Sequence, residues 1–322
     1  MSIQWFPGHM HKARKDIAKV MPDIDVVIEV VDARIPYSSS NPMVRRLSEG
    51  KPMIKLLNKS DLADPDMTSQ WVEWFKQQDQ TLAMAVRMDQ PNSVKRLPQL
   101  CKELVPGRAQ AGRNVRAMIM GIPNVGKSTL INTLFGRKIA KVGNEPAVTK
   151  AQQRVLLQNG MALHDTPGML WPKIEDVDAS YRLAATGAVR DTAMHYEEVA
   201  LYTAKLLMQR SPDVLLKRYK LTSLPDNEQA LIDAIGRKRG CLRAGGIVEM
   251  HQASEILIQE LRNGSLGLFT LDTVEEWEAK IQAEAEAAAA AALAEDQQQG
   301  DDPLRENARS ADGAEEQQES QA

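Results

Sequence analysis

Gly121-Ile-Pro-Asn-Val-Gly-Lys-Ser128 lies between an apolar run, Asn114 to Met120, and a stretch with helical character, residues 127–136. The run reads as a strand and the stretch as a helix. The eight residues therefore fit G-x-x-x-x-G-K-[ST] in the strand–turn–helix context that the pattern requires. Glycines let the backbone wrap closely around an anion, and successive N–H groups at the helix N-terminus point at negative charge. Lys127 is expected to reach β- and γ-phosphates and Ser128 to ligate Mg2+, with Asn124, Val125, Gly126 and Thr129 completing the cradle.

Two further motifs give this loop its meaning. Asp165-Thr-Pro-Gly168 follows a predicted strand, Met161–His164. A carboxylate at a strand's end can hold Mg2+ through water, and the Gly168 N–H can meet a γ-phosphate. The tetrapeptide alone carries little information; downstream of a phosphate loop and just off a strand, it carries much. Asn58-Lys-Ser-Asp61 follows another predicted strand, Met53–Leu57. Asp61 can accept hydrogen bonds from the guanine N1–H and the N2 amino group, a donor pair that adenine lacks. Asn58 can tie loops together, and the Lys59 stem can pack over the ring. An ATP-dependent enzyme is disfavoured on this ground. In an ordinary GTPase the order is phosphate loop, switch threonine, D-x-x-G, N-K-x-D. Here N-K-x-D comes first, so the motifs run in circularly permuted order.

The surrounding pattern supports a sheet able to carry that permutation. Asp25–Val31, Met53–Leu57 and Thr81–Val86 read as strands, residues 68–78 and 93–105 as helices, and residues 106–113 as a linker closing the old ends. Arg154–Gln158 and Met161–His164 flank Asn159-Gly160, a hairpin signal. Alternating strands and helices predict a three-layer α/β domain with a mostly parallel sheet. From residue 176 the pattern is helical, best over 193–210, 226–237 and 247–262. The expected organisation is an N-terminal arm and basic helix (1–22, closed by Pro22), a permuted P-loop GTPase domain (23–175), a smaller all-α domain (176–280) and a disordered, acidic, low-complexity tail (281–322), within which an Ala-rich run could form a transient helix.

The 322-residue chain has a net charge of −3 and is 43% hydrophobic, enough for a globular core, but only 4% aromatic. Residues 275–322 hold 14 acidic and 3 basic side chains, leaving 37 basic and 29 acidic before them. The tail is thus at −11 and the body at +8, an asymmetry that suits a polyanion-binding body or merely a basic surface. No apolar run reaches the ~18 residues of a membrane span, and the N-terminus lacks a signal-peptide core. Cys101 and Cys241 form no metal-ligand pattern, which points to a reduced, cytosolic protein.

With Trp5-Phe-Pro-Gly-His-Met10, Asp32-Ala-Arg-Ile-Pro36 and Arg237-Lys-Arg-Gly240 added to the three motifs, residues 1 to about 274 resemble the YlqF/RbgA-type circularly permuted GTPases, bacterial ribosome-assembly factors. The resemblance implies GTP and GDP as substrate and product, Mg2+ held by Ser128, Thr149 and Asp165, and the large ribosomal subunit with its rRNA as partner. The free protein is expected to be monomeric, although the sequence itself carries no signal of oligomeric state. Thr149 ends Pro146-Ala-Val-Thr149, where the family has glycine at the Ala147 position. Met84-Ala-Val-Arg87 stands where a guanine-contacting Ser-Ala is expected, which leaves a backbone N–H near Ala85 or Val86 for the base. Met169-Leu170 replaces the water-orienting glutamine of many GTPases. Catalysis is then expected from elsewhere: K+ held at Asn124, or His9 folded over the site. Turnover should be slow alone and stimulated by ribosomal particles. The basic run from Arg237 to Arg243 and the basic N-terminal helix are RNA-phosphate candidates. The competing reading is an RNA-binding or chaperone module in which hydrolysis is incidental.

Overall fold

The computed structural model describes residues 8–48, 50–88, 90–136, 153–157 and 160–300. Two compact units are distinguished, residues 1–273 and 274–322.

The first unit is built on a six-stranded sheet: β1 (Val26–Asp32), β2 (Met53–Asn58), β3 (Thr81–Ala85), β4 (Val115–Gly121), β5 (Gln153–Leu157) and β6 (Met161–Asp165), in the order β3-β2-β1-β4-β6-β5. β1, β2, β3, β4 and β6 pair in parallel, and only β5 is antiparallel, as expected for the short turn after it. β1 and β2 are buried along their whole length. Continuous β-branched and aliphatic runs suit strands covered on both faces. The central pair β1–β4 is formed across what would be the closed termini of an unpermuted domain, with Ile28 beside Ile119 and Val30 beside Gly121.

The helices of this part are α1 (Gly8–Val20), α2 (Pro42–Ser48), α3 (Pro65–Lys76), α4 (Leu97–Leu104), α5 (Pro106–Gln110) and α6 (Lys127–Phe135). One apolar cluster joins Ala13 and Ile17 of α1 and Val44 of α2 to Val27, Met53, Met118 and Met120 of the sheet. Alternation along β4 directs Ala117 and Ile119 to the opposite face, giving three layers. α3 is capped by Asp64, whose side chain accepts the Met67 N–H, with Pro65 in its first turn. The expected linker over 106–113 contains α5: Pro106 opens a helical turn, as proline does at a first helical position, instead of breaking one.

The helical region consists of α7 (Val177–Ala185), α8 (Tyr196–Arg210), α9 (Pro212–Tyr219), α10 (Glu228–Arg239) and α11 (Met250–Asn263). Asp176 and Asn227 cap α7 and α10, and Gly240 and Gly264 end α10 and α11 in the left-handed conformation. Leu207, Leu231, Ile235, Leu257 and Leu261 are buried among them.

The second unit begins with α12 (Val274–Gly300). The Ala-rich run for which the sequence allows a helix lies inside α12, which extends to Gly300. The Ala, Glu and Gln of this stretch are among the strongest helix formers, and their lack of apolar periodicity argues against packing, not against helix. Among the described residues no helix is long and apolar enough to cross a membrane.

Candidate active site

The C-terminal edges of β2, β4 and β6 carry the three motifs to one place, as parallel pairing requires of strand ends in α/β sheets. The bridge between the first two is direct. Asn58 Nδ2 donates to Val125 O at 2.7 Å, inside the phosphate loop. Gly126, with φ +106°, caps α6 and lies against that amide so closely that a Cβ would overlap it. The third motif closes on the same loop: a Cβ on Gly168 would stand 2.7 Å from Pro123 Cα and 3.1 Å from Lys127 Nζ.

Lys127 is buried and its ammonium donates to Ile122 O at 2.6 Å and Gly121 O at 3.1 Å. Burial pulls its pKa down to about 8, opposed by Asp165. Asp165 is 2% exposed, and neither of its carboxylate oxygens has a hydrogen-bond partner among the described residues. Burial pushes its pKa up to about 6. Lys127 pulls it back only in part. A buried carboxylate is normally paired or coordinates a cation, so these two oxygens fit Mg2+. Among the described residues no group of three or more His, Cys, Asp or Glu could hold a metal.

The Asn58–Asp61 loop is shaped by Lys59 at φ +61°. Lys59 Nζ pairs with Asp32 at 2.8 Å, and Asp61 is half-buried. Of the two backbone groups expected to face the base, that of Val86 is committed elsewhere: its N–H donates to Leu57 O at 2.9 Å, and its carbonyl accepts the Ser60 hydroxyl at 3.1 Å. Val86 lies within the strand expected over Thr81–Val86, and its pairing with Leu57 just past the end of β3 consumes it. Ala85, at the end of β3, is exposed.

Met169, in the position of the missing glutamine, is locked down. Its side chain joins the cluster around α1, its N–H donates to Gly121 O at 3.2 Å, and its carbonyl accepts Asn41 Nδ2 at 2.8 Å. Asn124, at φ +57°, donates Nδ2 to Gly187 O at 2.9 Å. His9 belongs to α1 but its side chain lies outside the described residues, as does the whole of Thr149. Ser128 and Thr129 occupy the first turn of α6. Sequence reasoning missed Asp32, Arg34 and Asn41 as parts of this assembly. The visible trace of Asp32 and Arg34 is the D-A-R-I-P element, in which polar residues follow a buried strand directly.

Comparisons with known proteins agree with this geometry. A family described as 50S ribosome-binding GTPase matches residues 116–218. A ribosome biogenesis GTPase A of Priestia megaterium is 45% identical over 289 residues, covering 87% of this chain and 100% of the relative. The chain belongs to the ribosome biogenesis GTPase A family. The member of that family from Thermotoga maritima is 31% identical over 274 residues, spanning 85% of this chain and 95% of its own. The mitochondrial ribosome-associated GTPase 1 of Mus musculus is 32% identical over 292 residues, spanning 84% and 90%. A GDP-bound YlqF structure superposes with a TM-score of 0.58 at 26% identity, over 81% of this chain and 99% of that one. A GNP-bound YlqF from T. maritima gives 0.57 at 27%, over 82% and 100%. As a ribosome biogenesis GTPase A family member with this fold, the chain is a GTPase.

Proposed function

We propose that this chain is a slow GTP-driven switch in late assembly of the large ribosomal subunit. The observation that carries the reading is the buried, unpartnered Asp165 carboxylate beside Lys127, at the meeting point of three motifs. Asp61 and Asn58 read guanine, the Lys59 stem covers the ring, and Ala85 offers the remaining backbone contact. The N–H groups of Val125, Gly126, Lys127, Ser128 and Thr129 surround the phosphates. Ser128, Thr149 and Asp165 would hold Mg2+, which when bound supplies positive charge to the β- and γ-phosphate oxygens. In the reaction a water oxygen bonds to the γ-phosphorus as the bond to the β–γ bridging oxygen breaks, giving GDP and phosphate. Lys127 neutralises charge that develops on the leaving oxygens, and the Gly168 N–H bonds the γ-phosphate.

The Met169 side chain has no group that can orient the water, so turnover is slow alone and rises on ribosomal particles. K+ at Asn124, or the His9 imidazole, supplies what the glutamine does not. The N-terminal helix (within residues 1–22) and the basic end of α10 contact rRNA phosphates; the permuted domain (23–175) carries the site, residues 176–280 form the RNA-facing helical domain, and 281–322 the acidic tail. The protein works in the cytoplasm and is monomeric when free. The names of the relatives, which refer to ribosome biogenesis and to ribosome binding, support this assignment of partner.

The test is GTP hydrolysis with and without large subunits, in K+ and in Na+. Stimulation in K+ alone is expected. Stimulation in both salts removes the potassium site, and no stimulation in either removes the partner. A hydrolysis-deficient variant that still binds GTP and still supports assembly would favour the binding-module alternative.

A further inference from the structure

Three sets of contacts between the nucleotide site and the helical region converge on one end of α11. In the first, Arg34 is completely buried. Its Nη1 donates to Leu261 O at 3.1 Å and Arg262 O at 3.4 Å, among the last carbonyls of α11. Its Nε and Nη2 grip the two oxygens of Asp32 at 2.9 and 2.8 Å. The same carboxylate holds Lys59 of the base-reading loop. Burial alone would raise the Asp32 carboxyl, but Arg34 and Lys59 overcome it and hold it well below the usual carboxylate range.

In the second, the chain leaving α11 backs the same loop. Leu62, next to Asp61, packs onto Gly264 so closely that a Cβ there would lie 2.5 Å from Leu62 Cδ2. The Phe269 N–H reaches Leu62 O at 3.4 Å, and the Asp64 N–H reaches Thr270 Oγ1 at 3.2 Å. In the third, the Arg262 guanidinium donates to Ala184 O at 2.9 Å and Ala185 O at 3.0 Å and pairs with Asp191 at 2.8 Å. It sits beneath Gly187, whose carbonyl accepts the phosphate-loop Asn124 amide.

A helix C-terminus leaves carbonyls unsatisfied and carries partial negative charge. Planar guanidinium groups that satisfy it through several donors fix its geometry as well as its energy. Buried members of such a chain cannot shift singly without orphaning a partner. We propose that the C-terminal end of α11 registers nucleotide occupancy, with Arg34 the positioning residue for Lys59 and Arg262 the positioning residue for Asn124. The proposal rests on the reading that guanine nucleotide lies against Asn58–Asp61 and Gly121–Ser128. These contacts run to the base loop and the phosphate loop, not to Asp165–Gly168. The end of α11 therefore responds to GDP and GTP alike, and not to the γ-phosphate.

The experiment is hydrogen–deuterium exchange on the full chain without nucleotide, with saturating GDP and with a saturating non-hydrolysable GTP analogue, beside calorimetric titration of the same samples. In the wild type both nucleotides are expected to slow exchange over residues 257–266 by the same factor. Arg34→Lys keeps the charge but not the fork. It is expected to weaken both nucleotides equally, by roughly tenfold, and to lose the protection of 257–266 even at saturation. A role for Arg34 in stability alone would lower the melting temperature and leave that protection intact, which overturns the proposal. Protection by the GTP analogue alone overturns it as well. So does GDP binding without protection in the wild type, a result that needs no variant to fold. Absence of GDP binding removes the site reading and the proposal with it.

Discussion

Asn58 and Val125, 67 residues apart in sequence, are joined by a buried hydrogen bond of 2.7 Å from side-chain amide to backbone carbonyl. It ties the loop that reads the base to the loop that wraps the phosphates. Asn58→Ala orphans the carbonyl and costs ~1–3 kcal/mol, so GDP affinity should fall about tenfold to a hundredfold. Gly126→Ala adds a Cβ where the Asn58 amide lies, at φ +106°, with ~1–2 kcal/mol of backbone strain besides. The double variant should bind better than the sum of the two losses predicts, since the overlap disappears. Calorimetric titration of GDP with all three variants checks this.

Asp165 and Lys127 set the pH response. Burial raises the Asp165 pKa to about 6 and lowers that of Lys127 to about 8. For each group the charged form is the costly one. Without nucleotide, stability should therefore rise as pH falls through about 6 and rise as pH climbs through about 8. Nucleotide with Mg2+ needs both charges, so its affinity should be highest between those values and fall on either side. Asp165→Asn should stabilise the nucleotide-free protein by ~1–3 kcal/mol and lose both the acid limb and Mg2+-dependent hydrolysis. Melting and affinity curves across pH measure both effects.

Asp272 is an anchor between the helical region and the loop after β1. It accepts the Ser38 N–H and hydroxyl, each at 2.8 Å, and pairs with buried Arg182 at 2.8 Å. Asp272→Ala leaves a buried guanidinium uncompensated, at ~3–5 kcal/mol. A fall in melting temperature of roughly 10 °C follows, and scanning calorimetry would detect it.

The strands and the three motifs were legible because their signals are local. Val26–Asp32 and Met53–Asn58 are short β-branched or aliphatic runs between turns, and the permutation follows from the order of motifs that each fit within eight residues. The short α5 within the expected linker was not legible, because five residues carry no apolar periodicity, and the Ala-rich run marked a helix without marking that it extends from Val274 to Gly300. The distant partners of Arg34, Asn41 and Asp272 were illegible for a different reason. Arg34 meets Leu261 across 227 residues and Asn41 meets Met169 across 128, and no local pattern marks a contact of that range. The Met169 substitution was visible, but its packing against α1 was not, because Ala13 and Ile17 show only that one face of α1 is apolar.

The central claim is that Asn58–Asp61 supplies the guanine-reading end of a site completed by motifs that follow it in the chain. Replacing Asp61 by Asn tests it most directly, because an amide at that position complements xanthine, which carries an oxygen where guanine carries the N2 amino group. Asp61→Asn should lose GDP affinity by at least tenfold and gain affinity for xanthosine diphosphate, with the fold intact. Unchanged preference for GDP, or equal loss of both nucleotides in a folded protein, would contradict the account.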